Sequence, residues 1–159
     1  AMSDGETIDL GDRKLTALYA PGHASHQMAI LDEERRQLFC GEALGRPEST
    51  VVAPVSGFDP DAAIETIGRL RSLNPQYVFY SHGGVSRDPS RLVESVAMNM
   101  TAYRRIILEG TASGQSRDTI RDELETYQRE LSLTNWNGSD QVDDLIDWHL
   151  AYFKTKGLV

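Results

Sequence analysis

Residues 19–26 read Tyr-Ala-Pro-Gly-His-Ala-Ser-His, and the apolar run Leu15–Ala20 leads directly into them. The run predicts a β-strand, and Pro21 with Gly22 predicts a tight turn at its end. Such a turn would present the imidazole of His23 at the end of the strand. Because α/β folds usually hold their ligands in the loops after strands, His23 is the first candidate functional residue.

Two other stretches repeat this arrangement. Glu42 follows the apolar run Leu38–Cys40 and a glycine, and His82 follows the apolar run 77–80 and precedes two glycines. Imidazole nitrogen and carboxylate oxygen are the ligands that Zn²⁺, Mn²⁺ or Fe²⁺ accept when no thiolate is available. We therefore predict His23, Glu42 and His82 as metal ligands, with zinc, manganese or iron as the metal, or no metal if the three do not converge.

Each of these residues also has a simpler interpretation. A single histidine is more often a polar loop residue or a hydrogen-bonded core residue, and Glu42 alone could be a turn acid. His149 lies on the apolar stripe of the last predicted helix and is interpreted as a core or interface histidine. His26 lies three residues after His23. The case for a metal site rests on the three strand ends together.

The remaining chain predicts an α/β part followed by helices. A polar connector, residues 32–36, joins two apolar runs and indicates a hairpin. Asp-Pro pairs at residues 59–60 and 88–89 predict helix starts, with stops at Asn74-Pro75 and Gly110. Serines 116 and 139 precede two further amphipathic patterns. The predicted strands cover residues 7–10, 15–20, 27–31, 37–40 and 77–80, and the boundary between the two parts falls near residue 86.

Composition limits the possible partners and locations. The chain has 159 residues, which suits one ordinary domain, and a net charge of −8, which disfavours nucleic acid or an anionic membrane as the main partner. No apolar run approaches the roughly 18 residues of a membrane span, and the first ten residues do not resemble a signal peptide. The single cysteine, Cys40, cannot form an internal disulfide. We therefore expect a cytoplasmic protein.

The combined motifs resemble the second half of the metallo-β-lactamase superfamily. The resemblance is carried by residues 19–32, 38–44 and 80–84 in that order, and it extends through the Asp-Pro pairs into the long helix. It implies the second half of an αβ/βα sandwich, a mixed sheet with a covering helix, in residues 1–86 and a helical extension in residues 87–159. It also implies that His23 binds a first metal, His82 a second, and that Glu42 bridges them.

The sequence departs from the superfamily pattern in two respects. The His-x-His-x-Asp-His signature does not occur, and Glu42 stands where the family usually has Asp. The resemblance therefore implies a truncated hydrolase of esters, thioesters or phosphodiesters, inactive or weakly active alone, with a small-molecule substrate. A half sandwich would expose an apolar sheet face, so we expect a homo-oligomer that covers it.

A non-catalytic alternative rests on the C-terminal helices. In this interpretation their acidic residues form a negative surface that binds a basic partner, and the chain is a binding or assembly module. A solvated helix face with no partner is the more common reason for such charges. The acidic residues are Asp118, Asp122, Glu123, Glu125, Asp140, Asp143, Asp144 and Asp147.

Overall fold

A computed structural model describes residues 2–47, 50–131 and 139–159 of the chain. Side chains of residues 139–141 are outside the description. Within the described ranges the chain forms six strands and four helices. They are β1 (Thr7–Asp9), β2 (Lys14–Tyr19), β3 (Met28–Asp32), β4 (Gln37–Gly41), α1 (Pro60–Ser72), β5 (Tyr77–Tyr80), β6 (Val85–Ser86), α2 (Pro89–Ala112), α3 (Arg117–Glu130) and α4 (Ser139–Thr155).

The described strands form one mixed sheet in the order β1-β2-β3-β4-β5-β6. Neighbours are antiparallel except β4 and β5, which are parallel and are connected through α1. Leu38 on β4 pairs with Leu31 on one side and with Val78 on the other. The parallel pair places the carboxyl ends of β4 and β5 at the same edge of the sheet. The predicted α/β class, hairpin and covering helix are confirmed.

Local signals account for most element boundaries, with one correction. Asp59 caps α1, since its Oδ1 accepts a hydrogen bond from the backbone N–H of Ala62 at 2.9 Å. Ser116 caps α3 in the same way through Thr119. Asp88 was expected to cap α2, but its side chain makes no capping bond and instead contacts Arg91 within α2. The Asp88 carboxylate accepts a bond from the Arg91 guanidinium and none from the free backbone N–H groups at the start of α2.

Three further expectations are modified by tertiary contacts. Asp32 was assigned to the polar connector, but it is the last residue of β3 and fully buried, with ion pairs to Arg13 and Arg35. The helix stop expected at Gly110 is wrong, because α2 continues to Ala112. A Cβ at Gly110 would lie 2.8 Å from Ile120 Cγ1, so glycine there permits close packing of α3. Strand β6 was not predicted.

The two faces of the sheet differ in their surroundings. Side chains on one face join the core beneath the helices, among them Leu18, Leu31, Leu38, Cys40 and Val78. On the other face, strand alternation and register align Tyr19, Phe39, Tyr77 and Val85, which are all more than a third exposed. Phe39 stacks on Phe79 there at 4.5 Å between ring centroids. One sheet face therefore remains an open apolar surface, called the open face below.

The helical part packs on the α/β part. Helix α2 contacts α1, and α3 and α4 pack against α2 and against each other. A continuous hydrophobic core runs from the sheet through Met100 and Tyr103 of α2 to Leu145 and Phe153 of α4. The two parts therefore share one hydrophobic core. No helix in the described ranges has the length and apolar character required to cross a bilayer.

Candidate functional site

The turn after β2 is held against the first half of α1. Gly22 has φ +134°, and a Cβ at this position would lie only 2.4 Å from Ala63 Cα. The hydroxyl of Thr66 donates a hydrogen bond to the Pro21 carbonyl at 2.7 Å. A side chain at position 22 would therefore separate the turn from α1. The close contact fixes the backbone immediately before His23.

The ring of His23 is oriented by a backbone carbonyl. Its Nδ1 lies 2.7 Å from the carbonyl oxygen of Ala53, in the loop before α1. Because a carbonyl only accepts hydrogen bonds, Nδ1 carries the proton and Nε2 keeps its lone pair. Histidines that bind metal ions are usually held by this kind of bond from the other ring nitrogen. His23 therefore has the tautomer required of a ligand through Nε2.

Glu42 and His82 meet at the shared edge of the parallel strands. Glu42 follows β4 and His82 lies two residues after β5, and Glu42 Oε1 is 3.2 Å from His82 Nε2. The Glu42 side chain is 17% exposed and the His82 side chain 59%. Glu42 Oε1 itself is buried and makes no aligned hydrogen bond to a described residue. A buried carboxylate oxygen of this kind is costly unless something polar or charged satisfies it.

The donor groups fit a metal ion in part. Two ligands of one tetrahedral zinc, each about 2.0 Å from the ion, are about 3.3 Å apart, which agrees with the Glu42–His82 separation. However, no three His, Cys, Asp or Glu side chains of the described residues are grouped closely enough to hold a metal. The structure thus brings together Glu42 and His82 but does not add His23 to them as a third ligand. The assignment of these three residues as ligands stays a prediction.

Two other residues close in sequence to the predicted ligands are not among them. Cys40 is fully buried, and burial raises the pKa of its thiol to about 12, so the free thiol is protonated at neutral pH. His26, three residues after His23, is exposed.

His149 lies in the core, as its position on the apolar stripe predicted. It is fully buried, its Nδ1 bonds to the Leu145 carbonyl at 2.8 Å, and it packs edge-on against Phe58 and Phe153. Burial lowers the pKa of His149 to about 4, so the ring is neutral at physiological pH. It is a structural residue of the core.

Part of the acidic surface of the C-terminal helices, namely Asp118, Asp143 and Asp147, is paired with arginine. Arg117 bonds to Asp143 and Asp147, and Arg121 bonds to Asp118 and Asp143. These bonds and the burial that opposes them leave the pKa of Asp143 below its usual value. The side chain of Asp140 lies outside the described part of the chain. The pairing reduces the free negative charge on which the binding-module alternative depends, so that alternative is not favoured.

A mixed β-sheet with one parallel crossover, which presents Glu42 and His82 after the ends of β4 and β5, defines an α/β protein with a candidate site at the edge of its sheet. The family model of the metallo-beta-lactamase superfamily matches residues 2–82, and the chain belongs to this superfamily. The family resemblance noted from the sequence motifs is thereby confirmed.

Relatives of known sequence or structure agree with this assignment. The metallo-beta-lactamase fold-containing protein of Sulfurisphaera tokodaii is 28% identical over 132 residues, 82% of this chain and 49% of the relative. An acyl-coenzyme A thioesterase of Homo sapiens is 40% identical over 43 residues, 27% of this chain and 15% of the thioesterase. A metallo-beta-lactamase family protein from Thermus thermophilus superposes with a TM-score of 0.68 at 20% identity.

The chain is short relative to these proteins. The Thermus superposition covers 98% of this chain but 49% of the larger structure, and it shows the shared fold. The chain spans about half the length, or less, of the curated relatives that it matches.

The residue that orients His23 could not be found from the sequence. The contact is made by the backbone carbonyl of Ala53, 30 positions away, and an alanine carries no side-chain signal of such a role. The pairing of Glu42 with His82 had a signal, because both residues directly follow apolar strands that turned out to be parallel neighbours.

Proposed function

We propose that this chain belongs to a metal-dependent hydrolase that cleaves acyl esters, with thioesters as the preferred class. The observation that carries the proposal is the buried Glu42 Oε1, which lies 3.2 Å from His82 Nε2 and has no aligned hydrogen bond to any residue in the described part of the chain. Support for thioesters comes from the human relative, which is an acyl-coenzyme A thioesterase. Phosphodiesters are the other bond type that the superfamily resemblance implies.

The proposed roles of the residues follow from their surroundings. Glu42, His82 and His23 would hold zinc, or manganese or iron in its place, with His23 binding through its free Nε2. When bound, such a metal polarises a substrate carbonyl and lowers the pKa of its water to about 7. Glu42 keeps its carboxylate oxygen out of solvent, and the Ala53 carbonyl keeps the proton of His23 on Nδ1.

We propose that the chain alone is weakly active. Two of the three predicted ligands converge in the described residues, whereas catalytic zinc sites use three protein ligands and an open position. Further ligands would come from a second copy of this chain or from additional polypeptide. The matched regions cover 49% of one relative and 15% of another, which supports this need.

The activity test uses purified chain with a short acyl-coenzyme A, and released thiol is measured with added zinc and with chelator. The proposal expects slow, zinc-dependent hydrolysis that is abolished in Glu42→Gln and preserved in His26→Gln, a matched change at the exposed histidine. Hydrolysis that is absent, or that is insensitive to both chelator and Glu42→Gln, would overturn it. A phosphodiester substrate, assayed in parallel, tests whether the chain prefers thioesters to phosphodiesters.

We also propose that a second copy of this chain covers the open face. The face exposes Tyr19, Phe39, Tyr77 and Val85, and exposed apolar surfaces of this kind usually mark interfaces. A second copy is the favoured occupant because one copy matches 49% of the Thermus chain, so two copies equal its length. Light scattering over a concentration series should show a dimer, and a monomer throughout would contradict the proposal.

The remaining expectations concern the environment of the protein. A net charge of −8 supports a partner other than nucleic acid or an anionic membrane surface. Cys40 is a free buried thiol, which supports the proposed cytoplasmic location.

A further inference from the structure

Asn99 connects the long helix to the loop that contacts His23. It lies on α2 and is 1% exposed. Its Nδ2 donates to the Thr50 carbonyl at 3.1 Å and contacts Thr50 Oγ1 at 2.8 Å. Its Oδ1 accepts a hydrogen bond from the hydroxyl of Tyr127, on α3, at 3.2 Å. Both ends of the amide are therefore engaged, which fixes its orientation and joins α2, α3 and the loop.

Thr50 has a backbone conformation that needs such support. Its φ is +49°, in the left-handed region, which is unfavourable for a β-branched residue. Conformations of this kind persist only where neighbouring groups hold them. The backbone N–H of Thr50 bonds to the Arg46 carbonyl at 2.9 Å, and Asn99 holds its carbonyl and hydroxyl. Asn99 is the side chain that keeps Thr50 in this conformation.

The loop of residues 50–53 connects the Asn99 contact to the His23 contact. Val51 and Val52 follow Thr50 and are 2% and 0% exposed, so the backbone from residue 50 to residue 53 is anchored in the core. The carbonyl of Ala53 comes next and accepts the Nδ1–H bond of His23 at 2.7 Å. A shift of Thr50 would move this carbonyl, because only two buried residues lie between them.

We propose that Asn99 is a positioning residue for His23. Through Thr50 and the buried valines it places the Ala53 carbonyl so that His23 keeps its proton on Nδ1 and presents Nε2 unprotonated. The proposal deepens the proposed function, on which it rests for the claim that Nε2 receives a metal. It assigns the helical extension a role in the site that the predicted ligands alone do not show.

The test records the ring nitrogens of His23 by NMR in the full, metal-free chain labelled with ¹⁵N-histidine. The native chain should show His23 chiefly as the Nδ1–H tautomer. Asn99→Ala should give a mixture with a substantial Nε2–H fraction, and Tyr127→Phe should give a smaller change of the same sign. Ile107→Val is the matched control, since it removes a buried methyl group from the same helix and leaves both hydrogen bonds from Asn99 to Thr50 in place.

Zinc affinity provides a second measurement. Supporting hydrogen bonds to metal-binding histidines typically contribute about tenfold to a hundredfold in affinity, so Asn99→Ala should lose at least tenfold while Ile107→Val stays near the native value. If Asn99→Ala does not fold, Tyr127→Phe and Asn99→Asp, which cannot donate to the Thr50 carbonyl, replace it.

The His23 tautomer and the zinc affinity together distinguish the positioning role of Asn99 from the proposed hydrolase function. A native His23 tautomer in folded Asn99 variants would overturn the positioning role, whatever the zinc result. A changed tautomer in a chain whose native form binds no zinc would support the positioning role and count against the proposed hydrolase.

Discussion

Glu42 Oε1 lies 3.2 Å from His82 Nε2 because β4 and β5 run parallel and end side by side. The residues are 40 positions apart in the chain, and helix α1 makes the connection that brings them together. The carboxylate oxygen is buried, whereas the imidazole of His82 is exposed, so the pair lies at the boundary between the protein interior and solvent. This relationship is the geometric basis of the proposed metal site.

The first prediction concerns zinc binding by this pair. Glu42→Gln and His82→Gln should each weaken zinc binding by at least about tenfold, because each removes one ligand of the ion. Competition with a chromophoric chelator measures the affinity. His26→Gln serves as the control, since it removes an exposed histidine near His23. Equal zinc affinity in the native chain and Glu42→Gln would exclude Glu42 as a ligand.

The second prediction concerns the contact between the His23 turn and α1. Gly22→Ala should lower the free energy of unfolding by about 3 kcal/mol, because the new Cβ overlaps the backbone of Ala63 and φ is positive. Gly68→Ala, within α1, meets no atom within 4 Å and should stabilise the chain by about 1 kcal/mol. Urea unfolding measures both. If the Gly22→Ala variant were as stable as the native chain, the contact between the His23 turn and α1 would contribute no stability.

The third prediction concerns His149 and pH. Burial lowers the pKa of His149 from 6.5 to about 4, so between these values the unfolded chain binds a proton that the folded chain does not. The resulting stability is complete above pH 6.5 and is lost as the pH falls toward 4. Between about pH 7 and pH 5 this group should reduce the free energy of unfolding by about 2 kcal/mol.

Urea unfolding of native protein and His149→Phe at both pH values tests this assignment. The variant should lack this part of the pH dependence, because phenylalanine does not titrate. The same pH dependence in both proteins would assign the effect to other groups.

The fourth prediction concerns the contact of α1, α2 and α4. The Tyr152 hydroxyl donates to Asp61 Oδ2 at 2.8 Å, and Asp61 also pairs with Arg104. Tyr152→Phe should cost about 1 kcal/mol of stability, a typical value for one hydrogen bond. Tyr77→Phe, on the exposed end of β5, is the control and should be close to neutral. A neutral Tyr152→Phe would mean that the bond contributes no net stability.

The lowered pKa of Asp61 also predicts that the chain loses stability at acid pH. The hydrogen bond from Arg104 is the main cause of its lowered pKa, with burial opposing it and the Tyr152 bond assisting. A lowered folded-state pKa gives stability that is present above the ordinary value of 3.8 and lost as the pH falls through the lower folded value. Asp61→Asn should remove this acid-dependent part, measured as unfolding between about pH 5 and pH 2.

The fifth prediction concerns the open face. Phe39→Ser should weaken the proposed dimer, because it removes an exposed aromatic ring and its stacking on Phe79. Met98→Ser alters an apolar residue on α2 that is even more exposed, 53% against 39% for Phe39, and should leave the assembly unchanged. Light scattering measures the mass of each variant. A dimer weakened by Met98→Ser and not by Phe39→Ser would place the interface on the helices.

Much of the fold could be predicted because its signals are local. Capping by Asp59 and Ser116 and apolar periodicity depend on residues within a turn or two of each other. The sequence-based predictions were wrong where a residue contacts a segment distant in the sequence. Asp32 is buried and pairs with Arg13, which precedes β2, and α2 continues past Gly110, where a Cβ would overlap Ile120 of α3.

The sequence by itself determined the α/β order of elements, the family and the three candidate ligands, because each is encoded in the types and spacing of neighbouring residues. Only the tertiary structure decided that Glu42 meets His82 and that the Ala53 carbonyl orients His23. It alone also revealed the link from Asn99 through Thr50 to that carbonyl. These contacts join atoms 30 to 49 positions apart, some of them backbone atoms, and it is the packing of distant segments that brings them together.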